Sequence, residues 1–320
     1  MIRKMDNRPF IRNKMSHFLA RIHYRLKKLK PGYIHHKLLF RGRILRTPAF
    51  TCSDKSSFEV HIITSEKDFL DAIWCIKTFY YYSRLRPGLV VHSDGSLTER
   101  QIQLIHEHFI GSKVIKKSTS DNEMSQFLAD YPNLKTFRKR RDFYCALKIL
   151  DNLNYSGSKH QLLLDSDILF FKEPTEIIKC IKNNKPFFNS DYQDAYSPIG
   201  LNYFKTKGLK ILPRINAGLL FINREFYVSH LDTMDSYFGY IKSQKTRENV
   251  NWHEQTLHAM LLSMCNAQRL SRHHQISDRP ISPSTVSHHF VNNGNRDKMY
   301  IDGLRKLRKE GFLEKLSDRI

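Results

Sequence analysis

Apolar positions along the chain follow two alternating rhythms. Phe58-Glu59-Val60-His61-Ile62-Ile63-Thr64 is β-branched and mostly apolar, which predicts a strand, and Phe69, Ile73 and Ile76 then fall at helical spacing. Leu89-Val90-Val91-His92 predicts a second short strand, closed by Ser93-Asp94-Gly95-Ser96. A helix over Thr98 to His108 and a third short strand near Val114-Ile115 follow. A further helix is expected from Arg138 to Asn152. It leads through the polar turn Tyr155-Ser156-Gly157-Ser158 into Gln161-Leu162-Leu163-Leu164, a run suited to a central strand buried on both faces. Ile215-Asn216-Ala217-Gly218-Leu219-Leu220-Phe221-Ile222 reads as another buried strand, and Glu254 to Met264 as a helix. Strands alternating with helices indicate an α/β fold with parallel pairing. There is no internal repeat, and the 11 prolines and 13 glycines are too scattered to mark a long linker.

The N-terminal stretch has a different rhythm. Ile11, Met15, Phe18, Leu19, Ile22, Leu26 and Leu29 share one helical face, while Arg12, Lys14, Arg21, Arg25, Lys27, Lys28 and Lys30 take much of the rest. Residues 1–50 hold 14 Lys and Arg against a single acid, Asp6, and so carry more than half of the net charge of +22. Two readings fit such a helix: an anchor on an anionic membrane surface, or a helix packed on its own domain with a solvated basic face. Nucleic acid is not expected, because the segment has no recognition module and few interleaved aromatics. The chain divides accordingly into a basic amphipathic segment, 1–50, and a catalytic-type domain, 51–320.

Composition narrows the class further. With 40% apolar residues and 12% aromatics, the 320 residues can build a real core. There is no run of 18 apolar residues and no signal-type apolar region at the start, so the expected location is cytoplasmic, peripheral on the inner membrane face if the basic segment anchors it. Cys52, Cys75, Cys145, Cys180 and Cys265 are widely spaced and predict buried thiols in a reducing compartment. A G-x-x-x-x-G-K-[ST] loop, H-E-x-x-H, G-x-S-x-G and a G-x-G-x-x-G after the first strand are all missing. That argues against P-loop ATPases, zinc proteases, serine hydrolases and Rossmann dehydrogenases.

The most informative stretch is Leu162-Leu163-Leu164-Asp165-Ser166-Asp167-Ile168-Leu169-Phe170-Phe171. Two carboxylates flanked by apolar strand are costly unless a cation meets them. At the carboxyl end of a parallel strand they would face the crevice where such sheets bind ligands. A hard divalent ion, Mn2+ or Mg2+, shared between the acids and a diphosphate meets that need. The plainer alternative is a solvated turn with Asp167 as a helix cap.

Leu164-Asp165-Ser166-Asp167, with Phe171 and Pro174 after it, resembles the D-x-D signature of GT-A nucleotide-sugar glycosyltransferases. Ile215-Asn216-Ala217-Gly218-Leu219-Leu220-Phe221 resembles the N-(A/S)-G strand of the glycosyltransferase family 8-like group. His289-Phe290, with Gly294, Tyr300 and Gly303 beyond it, is similar to that group's C-terminal H-F segment. Where the group has an Asp after its first strand, this chain has Thr64-Ser65-Glu66. The resemblance covers roughly residues 56–305 and implies a GT-A, Rossmann-like mixed sheet flanked by helices.

It also implies residue roles. Asp165, Asp167 and His289 become metal ligands. His289 has a plainer reading, since on a strand it and His288 point to opposite faces. Asn216, Ala217 and Gly218 would lie beside the donor sugar, or else simply open a strand after Pro213. Thr64 and Ser65 would meet the donor, and Arg141 and Lys148, seven apart on the helix before the acids, would cover its diphosphate unless they only solvate a helix face. Trp252-His253-Glu254-Gln255 resembles the D-Q or E-Q element near the reacting centre. Glu254 is also explained as a capping box with Asn251, whereas Gln255 is not.

The expected activity is transfer of a hexose from a nucleotide diphosphate sugar to an acceptor hydroxyl, assisted by Mn2+ or Mg2+. Retention of configuration is implied by the resemblance alone. The expected acceptor is a lipopolysaccharide core or other lipid-linked glycan in polysaccharide biosynthesis. The competing reading is a catalytically silent module that binds anionic membrane or polysaccharide through its basic surface.

Overall fold

The computed structural model describes residues 31–53, 56–140, 145–244, 251–276, 279–291 and 296–318. The apolar stripe from Ile11 to Leu29 lies outside them, as does Arg141. The strands that position the site are β1 Phe58–Thr64, β2 Gly88–Ser93, β3 Lys113–Ile115, β4 His160–Leu164, β5 Ile168–Phe170, β6 Phe187–Ser190, β7 Ile215–Asn223, β8 Gln268–Arg269, β9 His274–Ile276 and β10 Ser287–His289. Seven of them form one sheet in the order β8-β6-β7-β4-β1-β2-β3. The pairs β4–β1, β1–β2, β2–β3 and β8–β6 are parallel, as the βα alternation suggests. β7 runs antiparallel to both neighbours, which makes the sheet mixed. Its reversal brings the start of β7 beside the end of β4, with Leu219 opposite Leu164.

Both faces of this sheet are covered, so its central strands are apolar without interruption. Leu162, Leu164, Leu219 and Phe221 point into one core with Trp74 and Phe79 of α1, Phe69–Ser83. Leu163, Leu220 and Ile222 point into the other. There they meet α3, Leu231–Ser243, and α4, Asn251–Met264. The helix α2, Glu99–His108, is fixed at its start by a reciprocal capping box between Thr98 and Gln101.

Residues 31–46 belong to the first core. Tyr33, Phe40 and Ile44 are buried in it, Trp74 Nε1 donates to the Arg41 carbonyl at 2.9 Å, and Arg41 pairs with Asp71 at 2.6 Å. No described helix is long and apolar enough to cross a membrane. All five cysteines are free thiols, four of them buried and Cys265 half-buried.

The helix expected from Arg138 to Asn152 is interrupted. Arg138 ends a helix of its own, Pro132–Arg138, and the chain re-enters a helical path as a π-helical turn over Leu147–Asp151. The buried Arg138 guanidinium explains the fold-back, since it pairs with Asp151 at 2.6 Å and with Asp121 at 2.8 Å. Wide turns of this kind recur at functional sites, and this one carries Lys148.

β5, β10 and β9 form a second, three-stranded sheet at the carboxyl end of β4. β10 pairs antiparallel with β5, placing His289 opposite Ile168. Asp165, Ser166 and Asp167 therefore occupy the link between β4 and β5, with His289 alongside.

Candidate active site

Backbone bonds fix the acidic link at both ends. The Asp165 N–H donates to the Gly218 carbonyl at 2.8 Å, and the Phe290 N–H to the Asp167 carbonyl at 3.0 Å. The side chains then converge. Nε2 of His289 lies 3.0 Å from Asp167 Oδ1 and 3.4 Å from Asp165 Oδ2, and one ligand atom from each of the three residues falls within 4.8 Å of the others.

His289 is oriented from behind. Its Nδ1 lies 2.8 Å from Asn216 Oδ1, which also accepts the Gly218 N–H at 3.0 Å. A carboxamide oxygen only accepts, so Nδ1 carries a proton and Nε2 is the nitrogen turned to the acids. Gly218 makes room for the group: a Cβ there would lie 2.7 Å from Asp165 Oδ2 and would collide with the His289 ring. Two carboxylate oxygens and an imidazole nitrogen, held by a second layer of hydrogen bonds around a glycine cradle, fit a divalent ion of the Mn2+ type.

The other side of Asp165 faces Lys148, whose Nζ lies 2.8 Å from Asp165 Oδ1 and 3.1 Å from Glu254 Oε1. Burial works against the charge on Lys148, but the Asp165 and Glu254 carboxylates outweigh it and hold the ammonium well above its ordinary range. Burial likewise opposes ionisation of Asp165, yet Lys148 and then His289 keep its carboxyl far below the usual carboxylate range. Glu254 shifts the other way, pushed up chiefly by burial with Lys148 partly offsetting it. For His289, burial is overcome by Asp167 and Asp165, and its pKa rises to about 9.

These groups line a cleft of about 530 Å³, within the range of small-molecule sites. Thr64, Ser65, Lys148, Asp165, Asp167, Asn216, Ala217, Gly218, Glu254, Gln255 and His289 all border it. Nε2 of Gln255 is buried there without a hydrogen-bond partner. His288, the neighbour that alternation turns away, stacks on Phe290 with ring centroids 4.3 Å apart.

Three charged residues on the cleft wall escape sequence reasoning: Asp68, Asp94 and Arg296. Asp94 follows β2 at the same sheet edge as the acids, its N–H donating to the Thr64 carbonyl at 3.1 Å, but its Asp-Gly-Ser setting reads as an ordinary turn. Asp68 follows β1 as well, four residues beyond Thr64. It pairs with Arg296 at 3.0 Å, and the same guanidinium donates at 3.1 Å to Oγ of Ser166, the residue between Asp165 and Asp167. That clamp joins residues 68, 166 and 296, and nothing in local sequence announces it.

No protein-family model matches the chain, and no curated protein sequence is similar to it. Solved structures with a similar course include mouse xyloside xylosyltransferase 1 in its apo form, at 11% identity over 75% of this chain and 98% of that one, with a TM-score of 0.49. A galactosyltransferase, LgtC, in complex with donor and acceptor sugar analogues is similar at 11% identity over 79% and 99% of the two chains, TM-score 0.47. Core-mannan synthase A from Aspergillus fumigatus, in a Mn/GDP form, is similar at 10% identity over 70% and 75%, TM-score 0.41.

Proposed function

We propose that the chain is a GT-A glycosyltransferase that moves a hexose from a nucleotide diphosphate sugar to an acceptor hydroxyl. The observation that carries this reading is the convergence of Asp165, Asp167 and His289 at the floor of one cleft, beside the glycine that clears space for them. A divalent ion held by those three would supply Lewis-acid cover for a leaving diphosphate. Lys148 keeps Asp165 ionised and turned toward the cluster. Asn216 keeps the donating Nδ1 of His289 away from the acids. Gln255, with its buried amide nitrogen unpartnered, would hydrogen-bond a sugar hydroxyl, and Glu254, next to it on the same helix and held by Lys148, would lend a second polar group to the reacting centre. Thr64 and Ser65 also border the cleft, where the nucleoside would lie. The proposed course is retention, in line with the sequence resemblance.

A membrane-associated glycan acceptor is part of the same proposal. Leu38 and Leu39 are 68% and 66% exposed, and Arg43 and Arg46, a few residues further along the chain, are exposed too, a combination suited to anionic headgroups. A panel of nucleotide sugars, incubated with Mn2+ and with EDTA and followed by nucleoside diphosphate release, tests the reading. One donor should be turned over only with metal; a uniform lack of release and of thermal stabilisation would leave a silent surface-binding module instead.

A further inference from the structure

Beside the cleft lies a second concavity, of about 260 Å³, lined by Arg214, Arg269, Arg272 and Arg279 and by Ser190. Two contacts fix its place. Asp191, in its wall, accepts Nδ2 of Asn216 at 3.1 Å, and Ile276, also in its wall, is the strand partner of His289. The partition between the two cavities is therefore built from the residues that hold His289.

Charge in this cavity is unbalanced. Asp191 is the single acid on its wall, and both its oxygens are engaged, one by the Tyr192 N–H at 2.7 Å and the other by Asn216. None of the four guanidiniums has a carboxylate partner among the described residues. Four like charges around one cavity repel one another unless an anion joins them.

The wall itself is held against local preference. Arg214 adopts a left-handed backbone at φ 54°, a conformation that costs a non-glycine residue roughly 1–2 kcal/mol. Its N–H donates to Asp194 Oδ1 and its carbonyl accepts the Asp191 N–H, each at 2.7 Å. Ser190, which also lines the cavity, has its Oγ buried with no hydrogen-bond partner, a polar group left unsatisfied in the wall.

We propose that this arginine-lined cavity is an acceptor subsite for an oxyanion: a phosphoryl or carboxylate group carried by the acceptor glycan near the hydroxyl that receives the sugar. The assignment rests on the transferase reading above. Guanidinium forks pair with such groups through two parallel N–H···O bonds. Position follows from the shared partition, which keeps the anion one wall away from the metal cluster.

Titration of the full chain with glucose 6-phosphate, glucuronate and glucose tests this. It is performed in EDTA so that no metal in the main cleft contributes. The phosphorylated or carboxylated sugar should bind at least about tenfold more tightly than glucose, and whichever is preferred identifies the group. The exposed pair Arg272→Gln/Arg279→Gln should lose that preference with an unchanged melting temperature, and Arg214→Gly, which suits the left-handed backbone, should weaken it too. Equal binding of charged and neutral sugars, or unchanged binding in both variants, overturns the subsite. Binding through the arginines in a chain that turns over no nucleotide sugar would overturn the acceptor role, the transferase reading having failed. Turnover without such binding would overturn the subsite alone.

Discussion

The carboxamide oxygen of Asn216 lies 2.8 Å from Nδ1 of His289, and this one bond decides which imidazole nitrogen faces Asp165 and Asp167. Because the same oxygen accepts the Gly218 N–H and the amide nitrogen donates to Asp191, the amide cannot flip without losing three bonds. Asn216→Ala should therefore free the ring and weaken divalent-ion binding by about 10–100-fold, the usual effect of removing such a supporting partner. Calorimetric titration with Mn2+ checks this; wild-type affinity in the variant would mean that the ring is held some other way.

Gly218 tolerates no side chain. The added methyl of Gly218→Ala would press on the His289 ring and on Asp165 Oδ2, whose distance of 2.7 Å from the new carbon is too short for contact. Overpacking of this kind costs about 1–3 kcal/mol, and here the atoms that must give way are the proposed ligands. Both the denaturation midpoint and Mn2+ affinity should fall, whereas a stable variant with intact affinity would show that the cradle has room.

Lys148 sits between two acids that would otherwise repel each other and resist ionisation. Its side chain is 13% exposed, between Asp165 and Glu254. Lys148→Met leaves both carboxylates without their cation, and breaking a buried pair typically costs about 3–5 kcal/mol. Urea denaturation should show a loss of that order, partly recovered by adding Glu254→Gln, which removes one orphaned charge. A loss without any recovery would place the cost elsewhere.

A pH effect is expected far from the cleft. Lys77 is fully buried, with Nζ donating to Thr47 Oγ1 and to the Pro48 carbonyl at 2.7 Å each. Burial lowers its pKa from 10.5 to about 7. Between those values the unfolded chain holds a proton that the folded chain has released, so this group makes stability rise with pH across that window. Its full cost is felt below pH 7. Lys77→Met should flatten that part of the stability profile relative to wild type; parallel profiles from pH 7 to 10 would show that the amine stays charged when folded.

Strands and the acidic pair are legible in the sequence because burial on both sheet faces leaves long apolar runs, and two acids interrupting one run are conspicuous. β1, β4, α1 and the helix expected from Thr98 to His108 all lie where periodicity places them, to within a residue or two at their ends. The reversed direction of β7 is not legible, since a strand buried on both faces reads the same either way. The helix expected before the acids is broken by long-range ion pairs at Arg138, which no local pattern records. Arg296 and Asp68 escape for the same reason: they meet across more than two hundred residues of chain. What local sequence cannot supply is which solitary charges face one another once the sheet is assembled.

The metal cluster is tested most directly by an electron paramagnetic resonance titration of Mn2+ into wild type and Asp167→Asn. Asp167 is the better choice than Asp165, whose removal would also strand Lys148. Wild type should take up a single ion, and Asp167→Asn should bind it at least about tenfold more weakly while melting at a similar temperature. Equal Mn2+ uptake by the two proteins, or none by wild type in the presence of a nucleoside diphosphate, would contradict a metal centre at Asp165, Asp167 and His289.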